Sequence, residues 1–188
     1  MDDGHIWLEL IIIILLVLGN AVCSLAEIAI VGARKTKLQE LIDEGNKSAV
    51  YALRLAEEKE ELFATIQVGI TSIGLLSGIF GESALAKPVA EWLVSLGMGE
   101  ETASAVGITL VVVLLTYFSI VMGELVPKRI GQMFPETVAR WIAQPMTWLA
   151  TGAKPFVALL SLCTQAVLKL LRIDESHGRA VTEEEISA

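Results

Sequence analysis

Three groups of oxygen-bearing side chains interrupt otherwise aliphatic stretches of this sequence. Asn20, Ser24 and Glu27 recur at i, i+4 and i+7, so one helix face carries an amide, a hydroxyl and a carboxylate. Gln67, Thr71, Gly74 and Gly78 repeat that spacing on a second stretch, where Gly74-x-x-x-Gly78 would let another backbone come close. Ser72 and Ser77 fall off this stripe and are expected to bond their own helix carbonyls. The third group is Gly123-Glu124-Leu125-Val126-Pro127-Lys128, approached by Thr116 and Ser119.

The chemistry these groups offer is cation binding. Pro127 has no N–H for the carbonyl of Gly123, and its ring pushes that carbonyl aside, which predicts an unpaired oxygen beside Glu124. Gly123 adds room, and hydroxyl or amide oxygens from the other groups would complete a shell for a hard cation. A carboxylate at membrane depth costs about 2.5 to 3.5 kcal/mol on insertion scales, so Glu27 and Glu124 are expected to face a partner, a cavity or an ion. The plainer alternatives are that Glu27 sits at the interface near Arg34, and that Glu124 pairs with Lys128 at i+4 where Pro127 ends the helix. No arrangement for covalent catalysis is visible, so the chain is not expected to be an enzyme. Cys23 and Cys163 lie in apolar runs away from metal-ligand spacing and read as packing residues.

The elements that must position these groups are membrane helices. The 188 residues are 54% hydrophobic, too apolar for a soluble domain of this length. Residues 6–31 form an almost unbroken apolar run, which at ~1.5 Å per residue crosses a hydrocarbon layer of ~30 Å with tilt to spare. Residues 62–80 and 103–126 give a second and a third span. The start Met1-Asp2-Asp3-Gly4-His5 lacks the positive region of a cleaved signal peptide, so the first run is expected to be retained. Arg34, Lys35, Lys37, Lys47, Arg54 and Lys59 crowd the first connection while Lys87 stands alone in the second. That asymmetry predicts an outward N-terminus and a cytoplasmic C-terminus in a plasma membrane, with Lys128, Arg129, Arg140, Lys154, Lys169 and Arg172 also inside.

Lys37 to Glu61 reads as a cytoplasmic helical hairpin broken near Gly45-Asn46. Residues 135–173 read as juxtamembrane helices: Phe156 to Leu171 is apolar but short, and Pro135, Pro145 and Pro155 would each start or bend a helix. With Trp141 and Trp148 upstream, an amphipathic belt lying in the interface is expected. Residues 174–188 read as a linker, with Thr182 as N-cap and Glu185 at the third position of a further helix. The fold class is therefore all-α integral membrane, with a three-span core in 1–134. The net charge of -8, set partly by solvated Glu clusters, argues against nucleic acid as a partner.

The motifs Asn20-Ala21-Val22-Cys23-Ser24-Leu25-Ala26-Glu27, Gln67-Val68-Gly69-Ile70-Thr71 and Gly123-Glu124-Leu125-Val126-Pro127-Lys128 resemble the transmembrane domain of the CNNM/CorC family, in order and over essentially the whole chain. The resemblance implies a homodimer of three-helix subunits with a belt helix, followed by cytoplasmic paired CBS domains that bind nucleotide. It also implies magnesium export by alternating access, driven by sodium entry, with Asn20, Ser24, Gly123 and Glu124 holding Mg2+. Many members supply an asparagine just after the glycine equivalent to Gly69, whereas this chain has Ile70 and Thr71. Thr71, or Gln67 one turn earlier, would then provide the missing oxygen, and Glu27, Ser119 and Pro127 complete the candidates. A bacterial branch with the Gln-x-Gly-Ile-Thr pattern resembles this chain too and has been linked to polyamine export, which makes putrescine or cadaverine the alternative substrate. A third reading is a membrane anchor and sensor that transports nothing.

Overall fold

The computed structural model describes residues 3–171, and every element among them is helical. The order is α1 (Asp3–Gly32), α2 (Lys35–Asp43), α3 (Lys47–Glu57), α4 (Lys59–Gly81), a π-helical turn π1 (Glu82–Ala86), α5 (Lys87–Ser95), α6 (Glu100–Ile120), a second π turn π2 (Val121–Leu125), α7 (Val126–Met133) and α8 (Pro135–Leu170). The chain divides into two compact units, Met1–Ala150 and Thr151–Ala188. The linker expected at 174–188, with its Thr182 cap, lies outside the described residues.

Four helical stretches are long and apolar enough to cross a membrane by length and composition: Ile6–Gly32, Glu60–Ser95, Glu100–Met133 and Pro135–Leu170. The first coincides with the predicted span. The second and third run past their predicted ends at 80 and 126, and proline is the reason. Pro88 and Pro127 stand in the first turns of α5 and α7, each directly after a π turn. Widening the helix by one residue relieves the clash of the ring with the preceding turn, and at π2 the Val126 N–H bonds the Val121 carbonyl five residues back. Pro127 therefore does not end its helix. The fourth stretch corrects the expectation of separate juxtamembrane helices, since α8 starts at Pro135 and continues through Pro145 and Pro155.

Within Met1–Ala150, α1 is the central element. Its buried residues follow helical spacing from Ile13 and Val17 through Asn20, Ser24 and Ala26 to Ile30. Small residues at Ala26, Ala29 and Ala33 join Leu38 of α2, Ala52 and Leu55 of α3, Leu62 and Ile66 of α4, and Ala139, Ala143 and Met146 of α8 in one core. Ile13 and Val17 form a second cluster with Ala84 of π1. The turn between α2 and α3 is the one the sequence indicates: Gly45 takes φ 88, and the Asn46 side chain caps α3 by accepting from the N–H groups of Ser48 and Ala49. The outer surface of α6 is aliphatic and aromatic, with Val113, Leu114, Tyr117 and Phe118 exposed, as expected of a face turned toward lipid.

In Thr151–Ala188 the described part is the end of α8 and Leu171, a helical surface on which Phe156, Leu159, Leu162 and Leu170 are exposed.

Candidate cation site

Glycine allows α1 and π2 to meet at backbone distance. A Cβ on Gly123 would lie 2.9 Å from Asn20 Nδ2 and 3.4 Å from the Val17 carbonyl oxygen. About two turns further along, a Cβ on Gly131 would lie 3.3 Å from the Leu25 carbonyl oxygen. At this contact Asn20 Nδ2 donates to the Gly123 carbonyl oxygen at 3.1 Å, a buried bond across 103 positions of sequence. The oxygen predicted to be unpaired thus has a donor. Because a carbonyl can only accept, the Asn20 amide nitrogen must face it, which turns Oδ1 the other way. Asn20 Oδ1 is buried with no hydrogen-bond partner, and so are Ser24 Oγ and Ser77 Oγ.

A cavity of about 200 Å³ opens between α1, α4, α6 and π2. Its polar lining comes from Asn20, Ser77, Thr116, Ser119 and Glu124, and its apolar lining from Ile70, Val112, Leu115 and Ile120, with Gly74 and Gly78 completing the α4 side. The two glycines do not bring a neighbouring backbone close, since a Cβ on either would meet nothing within 4 Å. They widen the cavity instead.

Glu124 is held by a second contact. Lys128 Nζ donates to Glu124 Oε1 at 3.0 Å and lies 3.1 Å from Glu27 Oε2, so one ammonium bridges two carboxylates from α1 and π2. All three side chains are between 27% and 36% exposed, shielded enough for the pairing to count for more than a surface ion pair. Arg34, the alternative partner for Glu27, pairs with Glu136 at 3.0 Å. Among the described residues no group of three or more His, Cys, Asp or Glu is arranged to hold a metal ion.

Of the residues singled out in the sequence, Asn20, Thr116, Ser119 and Glu124 line the cavity, and Gly123 is buried against Asn20. Ser24 is fully buried on the same face of α1 as Asn20. Gln67 and Thr71 are exposed, and neither lines the cavity. Ile70, Gly74, Ser77 and Gly78 take the α4 side, a stripe at i, i+4, i+7 and i+8. That stripe overlaps the one chosen from sequence at the two glycines and differs at its polar members. Spacing alone supports both stripes, and only the packing of α4 on α1 selects between them. Cys23 is buried in the core, where a Cβ on Gly69 would lie 3.5 Å from its Sγ, as expected of a packing residue.

A helical chain with several membrane-length stretches and a mostly apolar cavity carrying a few polar groups among them is a multi-pass membrane protein. It belongs to the CNNM family, matching the Cyclin M transmembrane N-terminal domain over residues 10–188. It is 41% identical over 186 residues to a UPF0053 protein of Synechocystis sp., covering 99% of this chain and 42% of that protein. It is 31% identical over 176 residues to the Polyamine export protein of Haemophilus influenzae, covering 94% of this chain and 40% of that one. To the Polyamine export protein of Salmonella typhimurium it is 31% identical over 180 residues, 96% and 40% of the two chains. The chain spans about two-fifths of the length of these relatives.

Proposed function

We propose that this domain carries an organic polycation of the putrescine or cadaverine kind out of the cell, by alternating access through the cavity beside Asn20 and Glu124. The observation that carries this reading is the cavity lining: Ile70, Val112, Leu115 and Ile120 share it with a single carboxylate, Glu124. An alkyl diammonium matches such a wall, with methylenes against the aliphatic side chains and one ammonium at the carboxylate. Glu124 already accepts an ammonium at hydrogen-bond distance, that of Lys128. The position where the family resemblance implies an asparagine holds Ile70, which removes an oxygen from the shell a metal ion would need. Two relatives named as polyamine exporters support the same reading.

Magnesium is the second reading, favoured by the buried, unpartnered oxygens of Asn20 and Ser24 near Glu124 and the Gly123 carbonyl. Magnesium requires about six oxygens at 2.0 to 2.1 Å, so Asn20, Ser24, Gly123 and Glu124 would need water to complete the shell, with sodium entry as the driving gradient.

The topology belongs to the same proposal. The basic first connection supports an N-terminus outside the plasma membrane, with α8 as a belt at the inner interface. Gln67 and Thr71 are polar side chains exposed on an apolar helix, which supports a homodimer with α4 at its contact. A cytoplasmic CBS pair would supply nucleotide control.

Flux measurement tests the substrate. The protein is reconstituted into liposomes loaded with labelled putrescine or with magnesium, and release is followed for wild type and Glu124→Ala. Putrescine release lost in the variant supports the reading. Magnesium release without putrescine release replaces it with the second. Ligand binding without movement of either cation favours a sensor.

A further inference from the structure

Lys128 already holds the carboxylate that a substrate ammonium would need. Its Nζ is 3.0 Å from Glu124 Oε1 and 3.1 Å from Glu27 Oε2, while Glu124 also lines the cavity. Glu27 and Lys128 do not line it. Glu124 therefore has two claimants: a tethered ammonium on the α7 side and a cation arriving through the cavity. A carboxylate oxygen shared with a fixed cation offers less to a second one, because the two positive charges repel at close range in a poorly screened site. Glu27 gives the tethered ammonium somewhere to go.

We propose that Lys128 is an exchangeable counter-ion that competes with the transported cation for Glu124, with Glu27 as its alternative resting place. When substrate reaches Glu124, Lys128 shifts its pairing toward Glu27, so two carboxylates serve two cations. When substrate leaves, Lys128 returns and makes release favourable. Lys128 is thus a positioning residue that sets affinity and release together. It sits in the first turn after the π segment, directly beyond Pro127. This inference rests on the reading of Glu124 as a cation-binding group.

The test is binding and turnover in the purified, reconstituted protein, with putrescine and magnesium as the probes. Lys128→Gln removes the competitor and is expected to tighten binding of the transported cation by roughly tenfold or more while slowing turnover. Lys128→Arg keeps the charge and is expected to bind near wild type. Glu27→Gln removes the resting place, leaves Lys128 wholly on Glu124, and weakens binding although Glu27 does not touch the cavity. The double variant of Glu27→Gln with Lys128→Gln leaves the net charge unchanged and binds more tightly than wild type, which separates competition from bulk electrostatics and guards against a single variant that does not fold. A merely structural salt bridge would weaken binding in all three glutamine variants. Unchanged or weaker binding in folded Lys128→Gln and in the double variant, with binding still abolished by Glu124→Gln, overturns the inference and leaves the transport reading intact. If wild type and every folded variant bind neither probe, both fail together.

Discussion

The Asn20 side-chain amide donates to the carbonyl oxygen of Gly123 at 3.1 Å, binding the middle of the first membrane helix to the π turn of the third. The contact depends on the glycine, since a Cβ there would fall 2.9 Å from the donor nitrogen. Gly123→Ala must push Asn20 aside and is expected to cost about 1 to 3 kcal/mol of stability, with transport lost. Asn20→Leu removes the donor, strands the carbonyl, and should cost a similar ~1 to 3 kcal/mol. Thermal unfolding in detergent together with vesicle flux checks both. Near-wild-type flux in either variant would remove Asn20 and Gly123 from the site.

The glycines of α4 and α6 should separate stability from function. A Cβ on Gly107 would lie 3.1 Å from the Ala90 nitrogen and 3.2 Å from the Ala86 carbonyl oxygen, backbone atoms that cannot swing away. Gly107→Ala is therefore expected to lower the melting temperature. A Cβ on Gly74 or Gly78 meets nothing within 4 Å but enters the cavity wall. Gly74→Val and Gly78→Val are expected to leave stability near wild type and to cut flux, which melting curves and transport rates on the same preparations would show.

Pro127 tests the π turn. With Pro127→Ala the missing N–H returns and the ring no longer crowds the preceding turn, so π2 is free to tighten to an α-helix. Tightening rotates the side chains before the turn relative to those after it, so Glu124 keeps its i+4 partner Lys128 while the register of that pair against Glu27 and the cavity changes. The expected outcome is a protein as stable as wild type or more so, with impaired transport. Loss of stability with full activity would show that the turn only accommodates the proline.

Much of this arrangement was legible in the sequence because membrane helices announce themselves by length and periodicity. The first span, the Gly45-Asn46 turn and the face carrying Asn20 and Ser24 follow from residue type and spacing alone. Three features did not follow. Pro127 reads as a place where the third helix could stop, but a π turn lets it run on to Met133, and the second stretch, followed in sequence only as far as its apolar run at 80, continues through another π turn to Ser95. A helix can offer more than one polar stripe, and Gln67 with Thr71 was chosen where packing selects Ile70 with Ser77. The third is long-range: Glu27 and Lys128 are 101 positions apart, and their pairing exists only because Gly131 lets α7 lie against α1.

The exposed Arg34–Glu136 pair offers a control remote from the cavity. Arg34 is 74% exposed and Glu136 20%, so their bond at 3.0 Å is solvated on one side and screened by salt. Glu136→Gln also removes an acidic group from the first turn of α8, where it favours the helix N-terminus. The expected loss is below about 1 kcal/mol, shrinking as salt is raised, with flux unchanged. Melting curves at low and high ionic strength check this.

Ile70 is the position at which the two substrates part. It lines the cavity together with Asn20 and Glu124 and contributes no oxygen, so a diammonium keeps an apolar wall and a metal ion lacks a ligand. Ile70→Asn restores the asparagine that the family resemblance implies at that place and converts one wall from aliphatic to polar. Because magnesium surrenders water only to well-placed oxygens, a gained ligand is expected to raise magnesium affinity, while putrescine loses methylene contacts and binds more weakly. Thr71→Val, on the exposed side of α4, should change neither. Titrating melting temperature with magnesium and with putrescine in wild type and both variants measures the shift directly, since a ligand of the folded state raises its stability with concentration. If Ile70→Asn leaves both affinities alone and Thr71→Val abolishes binding, the cation approaches α4 from its other face, and the cavity beside Glu124 is not its path.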